Sequence, residues 1–221
     1  MPAPANRTVF LIDGFNLYHS LRDAGKELRG QGTRWLDVVS LCRSYLHGIG
    51  NGATLERIYY FSALATHLEH QDPGIVERHK RLIKVMQFQG VEVVLGRFKE
   101  KQIRCNVKPK PKGCSGLLIR HEEKETDVAI SVKLMELCCF DRCDTAVLVT
   151  GDTDLAPAVR TVNHLFPQKK ICFLFPYTRK NDELAKLAHK SFTIKRNTYP
   201  KHQLPDPVII DGLPVHKPGS W

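Results

Sequence analysis

The apolar residues of this chain fall into short runs that are separated by longer stretches with helical spacing. Five runs stand out, at 9–12, 57–63, 91–98, 145–150 and 170–175. Runs rich in β-branched and aromatic residues predict strands, and the four consecutive apolar residues at 9–12 predict one that is buried on both faces. The stretches between the runs predict helices at about 17–24, 34–47, 73–89, 127–140, 155–166 and 182–189, followed by a short strand at 192–195. For the helix at 127–140 we expect Thr126 as the cap, and a buried stripe that consists of Val128, Ile130, Leu134 and Leu137.

Strands that alternate with helices predict an α/β protein, with a mainly parallel sheet covered by helices on both faces. This is a three-layer α/β/α, Rossmannoid arrangement. A strand order of 3-2-1-4-5 would place the first and fourth strands side by side. The regular pattern fills residues 8–196. Residues 197–221 contain five prolines and little periodicity, which predicts an extension that packs loosely or wraps around the domain.

A basic segment interrupts this alternation after the third strand. Seven of the sixteen residues at 97–112 are basic, against the single acid Glu100. Two prolines and the following Gly113 predict that about 97–121 forms an inserted loop or β-hairpin. A run of one charge is often only a solvated loop, but its density favours contact with a phosphate backbone. The residues concerned are Arg97, Lys99, Lys101, Arg104, Lys108, Lys110 and Lys112.

Composition narrows the choice of partners. The net charge is +10 and the isoelectric point is near 9.3, which favours nucleic acid or an acidic membrane surface. We expect no membrane insertion, because no apolar run approaches the length of a span and the N-terminus lacks the apolar core of a signal peptide. Seven cysteines without a tight spacing indicate a reducing compartment, and we therefore expect a cytoplasmic protein.

Acidic residues follow two of the predicted strands. Asp13 ends the first run, and Asp152 and Asp154 follow the fourth. If these strands are neighbours, the three carboxylates meet at the topological switch point, where ligands of open α/β sheets bind. Asp127, at the start of a helix, could point into the same crevice. Asp13, Asp152 and Asp154 also fit the simpler interpretation of a helix cap.

A group of carboxylates without histidine or cysteine is typical of a site for Mg²⁺ or Mn²⁺. Such an ion takes further ligands from phosphate oxygens and lowers the pKa of a bound water. The pattern therefore indicates metal-assisted hydrolysis of phosphodiester bonds at a group of three carboxylates, or of four if Asp127 points into the crevice.

Three short motifs carry a family resemblance. They are Ile12-Asp13-Gly14-Phe15-Asn16, Lys124-Glu125-Thr126-Asp127-Val128 and Thr150-Gly151-Asp152-Thr153-Asp154. In this order they resemble the signatures of the NYN domain family, the PIN-like ribonucleases typified by bacterial LabA-like proteins. The resemblance covers about 8–194. It implies a PIN-like fold, a divalent metal, RNA as substrate, and a homodimer as one possible assembly.

The resemblance also assigns roles to individual residues. It makes the four aspartates the acids of the metal site, and it places Asn16 where it would orient a carboxylate or touch the scissile phosphate. Thr150 would donate a hydrogen bond near the metal. Lys124 is either a phosphate contact or an ordinary surface lysine. In the wider PIN pattern the second acid follows the first more closely than Asp127 follows Asp13.

Two alternatives stay open in the sequence. Cys105, Cys114 and His121 could bind a structural Zn²⁺ in the basic insertion, but the spacing matches no recognised zinc module and unliganded residues are favoured. An RNA-binding or regulatory module with little turnover is the main alternative to a ribonuclease. A phosphohydrolase of the haloacid dehalogenase type is disfavoured, since it needs an aspartate where Phe15 stands.

Overall fold

The structure, a computed structural model, describes residues 5–29, 32–104 and 116–221. The strands are β1 (Asn6–Asp13), β2 (Ala53–Ser62), β3 (Glu92–Leu95), β4 (Arg97–Arg104), β5 (Leu117–Lys124), β6 (Thr145–Val149), β7 (Lys170–Phe175), β8 (Lys190–Thr193), β9 (Val208–Ile210) and β10 (Leu213–Val215). The helices are α1 (Gly14–Glu27), α2 (Val38–Ile49), α3 (Ile75–Phe88), α4 (Thr126–Cys139), α5 (Ala156–Leu165) and α6 (Asp182–Leu187). Short 3₁₀ helices span Thr66–Leu68, Thr153–Leu155 and Arg196–His202.

Six parallel strands form the central sheet, in the order β3-β2-β1-β6-β7-β8. The predicted fold class is confirmed. The predicted order 3-2-1-4-5 corresponds to the first five positions of the sheet, and β8 adds a sixth strand at its edge. The crossover from β3 back to β6 makes β1 and β6 neighbours, so the switch point lies between them.

Alternate residues of β1 enter two separate cores, one on each face of the sheet. Phe10 and Ile12 pack with α1, α2 and α3, whereas Val9 and Leu11 pack with α4 and α5. All four side chains are buried. This two-sided burial is the physical reason for an unbroken apolar run, because a strand covered on both faces has no solvent-facing position.

The structure corrects three local predictions. The third predicted strand divides at Gly96: its first part joins the sheet as β3, and its second part begins an antiparallel hairpin of β4 and β5. Val128, expected in the buried stripe of α4, is 67% exposed, because it lies about 200° around the helix from the buried Ile130. Thr126 does not cap α4 but is its first residue, preceded by Glu125 at φ +80°.

The C-terminal segment adds to the core instead of lying free. Tyr199, Leu204, Val208 and Ile210 are buried on the α1–α3 face of the sheet. The hydroxyl groups of Tyr199 and Ser20 form a buried hydrogen bond of 2.6 Å. These residues therefore extend the core on this face of the sheet. Across the described ranges, no helix has the length and apolar character needed to cross a membrane.

Candidate metal centre

Three carboxylates meet where β1 and β6 end. The parallel register pairs Ile12 with Val149, which places Asp13 beside Thr150 and the following acidic loop. Asp127 is in the first turn of α4, which covers the face of the sheet opposite to α1. One oxygen from each of Asp13, Asp127 and Asp152 lies within 4.8 Å of the others. These residues are the group of metal-ligating side chains found in the part of the chain that the structure describes.

Asp13 is both a helix cap and a member of this cluster. Its Oδ1 accepts a hydrogen bond of 2.9 Å from the backbone N–H of Asn16, at the start of α1. Its Oδ2 accepts bonds of 2.7 Å from the Asn16 amide and 2.8 Å from the Thr150 hydroxyl. The residue is 4% exposed. Burial raises the pKa of Asp13, and these three donors only partly oppose that effect.

Asn16 and Thr150 also hold the second acidic loop. The backbone N–H of Gly151 donates to Oδ1 of Asn16 at 3.2 Å, and that of Asp152 donates to the Thr150 hydroxyl oxygen at 3.1 Å. One asparagine and one threonine thus join the two strand ends into a single unit. Both side chains also donate to the same carboxylate oxygen of Asp13.

Asp152 caps the 3₁₀ turn that follows it. Its Oδ1 accepts a hydrogen bond of 3.0 Å from the backbone N–H of Asp154, so the capping interpretation also holds for this acid. Asp154 is exposed and lies outside the three-carboxylate group. Its charge is nevertheless close enough to raise the pKa of Asp127.

Glu123 is a fourth acid beside the cluster, and it is not among the site residues that the motifs predict. Burial, together with the charges of Asp13, Asp127 and Asp152, raises the pKa of Glu123 to about 7, although a hydrogen bond from Thr126 opposes the shift. Burial and the neighbouring carboxylates likewise raise the pKa of Asp127 to about 6. Such shifts mark a site whose negative charges repel one another and favour a cation.

Two glycines are required by close packing around the cluster. A Cβ on Gly14 would lie 2.7 Å from both the Phe61 carbonyl oxygen and the ring of Tyr60. A Cβ on Gly151 would lie 2.0 Å from the carbonyl oxygen of Arg179. Gly14 is the first residue of α1, and its lack of a side chain lets the helix start against β2.

The β4–β5 hairpin brings Glu123 to the cluster on one of its faces. The other face of the hairpin is basic. In the antiparallel register Lys99 pairs with Glu122 and Lys101 with Arg120, and paired residues share a face. That face holds Arg97, Lys99, Lys101, Arg120 and Lys124, with Glu122 among them. Glu122 forms ion pairs with Lys101 and Lys124 at 3.0 and 3.1 Å.

The predicted RNA-binding residues do not all share this surface. Arg104 lies at the other parity of β4 and therefore faces the opposite side of the hairpin. Lys108, Lys110 and Lys112 lie outside the described residues. Lys124 takes part in the basic face. No described contact joins it to the carboxylates of Asp13, Asp127 and Asp152.

Of the three proposed zinc ligands, the structure describes only His121. Cys105 and Cys114 lie outside the described residues. His121 is on the inward face of the hairpin, where its ring stacks on that of His67 with centroids 4.3 Å apart. His67 in turn contacts Phe98 at 4.4 Å.

A polar crevice of about 360 Å³ opens beside Asp152. The loop after β7 forms one side with Thr178, Arg179, Lys180 and Asn181, and Asn16 and Gly151 form the other. Sequence reasoning missed Arg179 and Lys180. The available signal was their place just after the fifth predicted strand, because the carboxyl ends of all parallel strands share one edge.

The fold and cluster define an open α/β domain with an acidic centre at its switch point, and comparison with known proteins gives the family. A sequence profile of the NYN domain matches residues 7–195. The chain belongs to the NYN domain family, which is PIN-like and nuclease-like.

Two other proteins show similarity to this chain, one in sequence and one in fold. The chain is 27% identical over 242 aligned positions to 6-hydroxy-3-succinoylpyridine 3-monooxygenase HspA of Pseudomonas putida, covering 97% of this chain and 75% of that protein. A crystal structure of a protein of unknown function from Vibrio parahaemolyticus superposes with a TM-score of 0.54 at 14% identity. That match covers 88% of this chain and 97% of the other, and it supports the fold alone.

Proposed function

We propose that this protein is a divalent-metal-dependent ribonuclease that hydrolyses phosphodiester bonds of RNA, most readily of single strands. The observation that supports this most strongly is the convergence of Asp13, Asp127 and Asp152 within 4.8 Å. Membership of the NYN family supports RNA as the substrate. The net charge of +10 favours a polyanionic substrate.

The residues present fit a hard cation. The donors are carboxylate oxygens. Burial, and to a smaller extent the neighbouring carboxylates, raises the pKa values of Asp13, Asp127 and Glu123, and a bound cation would favour their charged forms. Asp13, Asp127 and Asp152 would hold Mg²⁺ or Mn²⁺, with Asp154 and Glu123 as supporting acids. When bound, such an ion activates water and stabilises charge on the phosphate.

The chain's own groups position the reacting parts. Asn16 and Thr150 fix the rotamer of Asp13 from two sides, so the carboxylate does not reorganise when substrate arrives. Arg179 and Lys180 line the crevice beside Asp152 and are suited to bind a neighbouring phosphate. The basic face of the hairpin provides a second, more distant contact for the strand.

The activity named for the Pseudomonas relative is not proposed for this chain. It describes oxygenation of a small pyridine compound, and the two sequences share only 27% identity. The carboxylate cluster favours phosphoester hydrolysis directly, because hard oxygen ligands and a phosphate suit the same cation.

Cleavage of a labelled single-stranded RNA tests this function. We expect cutting by the wild type with Mg²⁺ or Mn²⁺ but not with EDTA, and loss of cutting with retained RNA binding in Asp13→Asn and Asp152→Asn. Asp211→Asn is the matched control, since Asp211 is exposed and its φ of +51° suits asparagine. RNA binding without cutting under any metal would favour the binding module. Neither binding nor cutting would overturn both functions.

A further inference from the structure

A second pocket lies along α1. It has a volume of about 320 Å³ and runs between α1 and α3. We call it the α1–α3 pocket. Its floor includes Tyr60 and Met86, which are buried residues of the core. The volume suits a small molecule or a single nucleotide and is too small for a protein segment.

Aromatic rings form one end of this pocket. Phe15 and Phe98 meet edge to face with ring centroids 5.4 Å apart, and the His67 ring lies against Phe98 at 4.4 Å. Trp221 lines the pocket as well and contacts Trp35 at 6.4 Å. Rings arranged in this way favour a flat aromatic ligand, which can stack on some and meet others at their edges.

The charged groups of the α1–α3 pocket are mostly cationic. Arg22, Arg34 and Arg78 line it, against the single acid Asp72. Arg78 is already paired with Asp72. Among the described residues, no ion pair joins Arg22 or Arg34 to an acid, so the pocket carries an uncompensated positive charge. An anionic group on the ligand would neutralise it.

Two polar atoms in this region lack partners. Nε of Arg22 and Nδ1 of His67 are buried and have no hydrogen-bond partner within the described ranges. An unsatisfied buried donor costs about 1–3 kcal/mol. Nε itself is inaccessible, so a ligand would contact Arg22 through the accessible part of the side chain that lines the pocket.

We propose that the α1–α3 pocket binds a planar aromatic compound that carries one anionic group, with Arg22 and Arg34 as the anion contacts. The ring stacks among Phe15, Phe98 and Trp221. Two sources offer this chemistry: a free aromatic acid, or the base and phosphate of one nucleotide. None of the carboxylates of the metal centre lines this pocket, so its ligand binding is separable from the proposed ribonuclease activity.

Calorimetric titration of the full chain tests the pocket, with naphthoate and adenosine monophosphate as ligands. We expect saturable binding of at least one of them at one site per chain. The neutral amide of naphthoate, and adenosine without its phosphate, should bind about ten-fold more weakly or worse, because each lacks the charge-assisted contact. Absence of saturable binding by both anions, or equal affinity of the neutral partners, would overturn the proposal.

Single-residue variants test whether Arg22 and Arg34 contact the ligand. Arg22→Gln should weaken binding about ten-fold or more, whereas Arg142→Gln, at an exposed arginine outside the pocket, should not. Arg34→Gln provides the same test if Arg22→Gln fails to fold, and unchanged affinity in both would contradict the assignment. Asp152→Asn should bind the anions as the wild type does. Competition by a short RNA would support a nucleotide as the source, and its absence would support a free acid.

Discussion

The hydroxyl group of Thr150 donates a hydrogen bond of 2.8 Å to Oδ2 of Asp13. The two residues are 137 positions apart in the chain, and the parallel pairing of β1 with β6 brings them together. Through this bond the end of one strand fixes the carboxylate at the end of its neighbour. Thr150 also accepts from the backbone of Asp152, so it orients two acids of the cluster.

Replacing Thr150 by valine keeps its shape and removes these bonds. Thr150 is 1% exposed, and we expect Thr150→Val to lower the free energy of unfolding by about 1–3 kcal/mol, because Asp13 and the Asp152 N–H lose a buried partner. Urea denaturation measures the change. Thr150→Ser retains the hydroxyl and should lose less. Unchanged stability in Thr150→Val would mean that these hydrogen bonds do not stabilise the folded protein.

The raised pKa of Asp127 gives a pH dependence with a definite sign. Its pKa is about 6 in the folded state against an ordinary value of 3.8. The neutral form therefore favours the folded state, and this stabilisation is lost as the pH rises through about 6. In EDTA at pH near 7.5, we expect Asp127→Asn to be more stable than the wild type by about 1 kcal/mol. This value is smaller than the pKa shift alone would give, because the residue is only half-buried.

Paired denaturation curves check this expectation, since comparison at each pH removes the contributions of histidines and other acids common to both proteins. The advantage of Asp127→Asn should disappear near pH 4. At pH near 7.5, added Mn²⁺ should make the wild type the more stable protein, because the wild type binds the cation more tightly than Asp127→Asn and is stabilised more by it. An advantage that is constant with pH would mean that charge repulsion at Asp127 is not its origin.

Close packing at Gly151 predicts a strong effect of a single methyl group. A Cβ there would lie 2.0 Å from the carbonyl oxygen of Arg179, so the loop after β7 must move. We expect Gly151→Ala to destabilise the protein by about 1–3 kcal/mol and to weaken RNA binding at the crevice. Thermal denaturation and a binding titration measure the two effects. Gly219→Ala, where a Cβ would meet open space, should change neither.

The basic face of the hairpin predicts a salt-dependent contribution to RNA affinity. We expect the double variant Lys99→Gln and Lys101→Gln to weaken binding of any single-stranded sequence and to reduce the salt slope by about 1–2. Filter binding across a salt series measures both. Lys201→Gln combined with Lys26→Gln removes the same charge from other exposed positions. If this control pair has the same effect, net charge rather than the hairpin face is responsible.

The positions of Asp13 and Asp152 were predictable because they depend on local sequence. A buried strand that stops at an acid places that acid at the sheet edge, and parallel strands share this edge. The helix-cap and cluster interpretations, which the sequence could not separate, are both correct for these residues. The position of Asp127 depends on more than local sequence, because only the packing of α4 on the sheet brings the first turn of this helix to the switch point.

Glu123 and the α1–α3 pocket were not predictable in this way. Glu123 reaches the cluster because of the register of β4 with β5, and a shift of one residue would turn it away. The pocket gathers side chains from α1, α3, the hairpin and the C-terminus, whose proximity no local pattern encodes. The split at Gly96 was missed for the same reason, because β3 and β4 read as one continuous strand.

The central claim is that Asp13, Asp127 and Asp152 form one divalent-cation site, and Mn²⁺ titration followed by electron paramagnetic resonance tests it most directly. The wild type should bind Mn²⁺ with affinity that falls about ten-fold or more in each of the Asp13→Asn, Asp127→Asn and Asp152→Asn variants, while Asp211→Asn binds normally. Wild-type affinity retained in all three variants would contradict the claim.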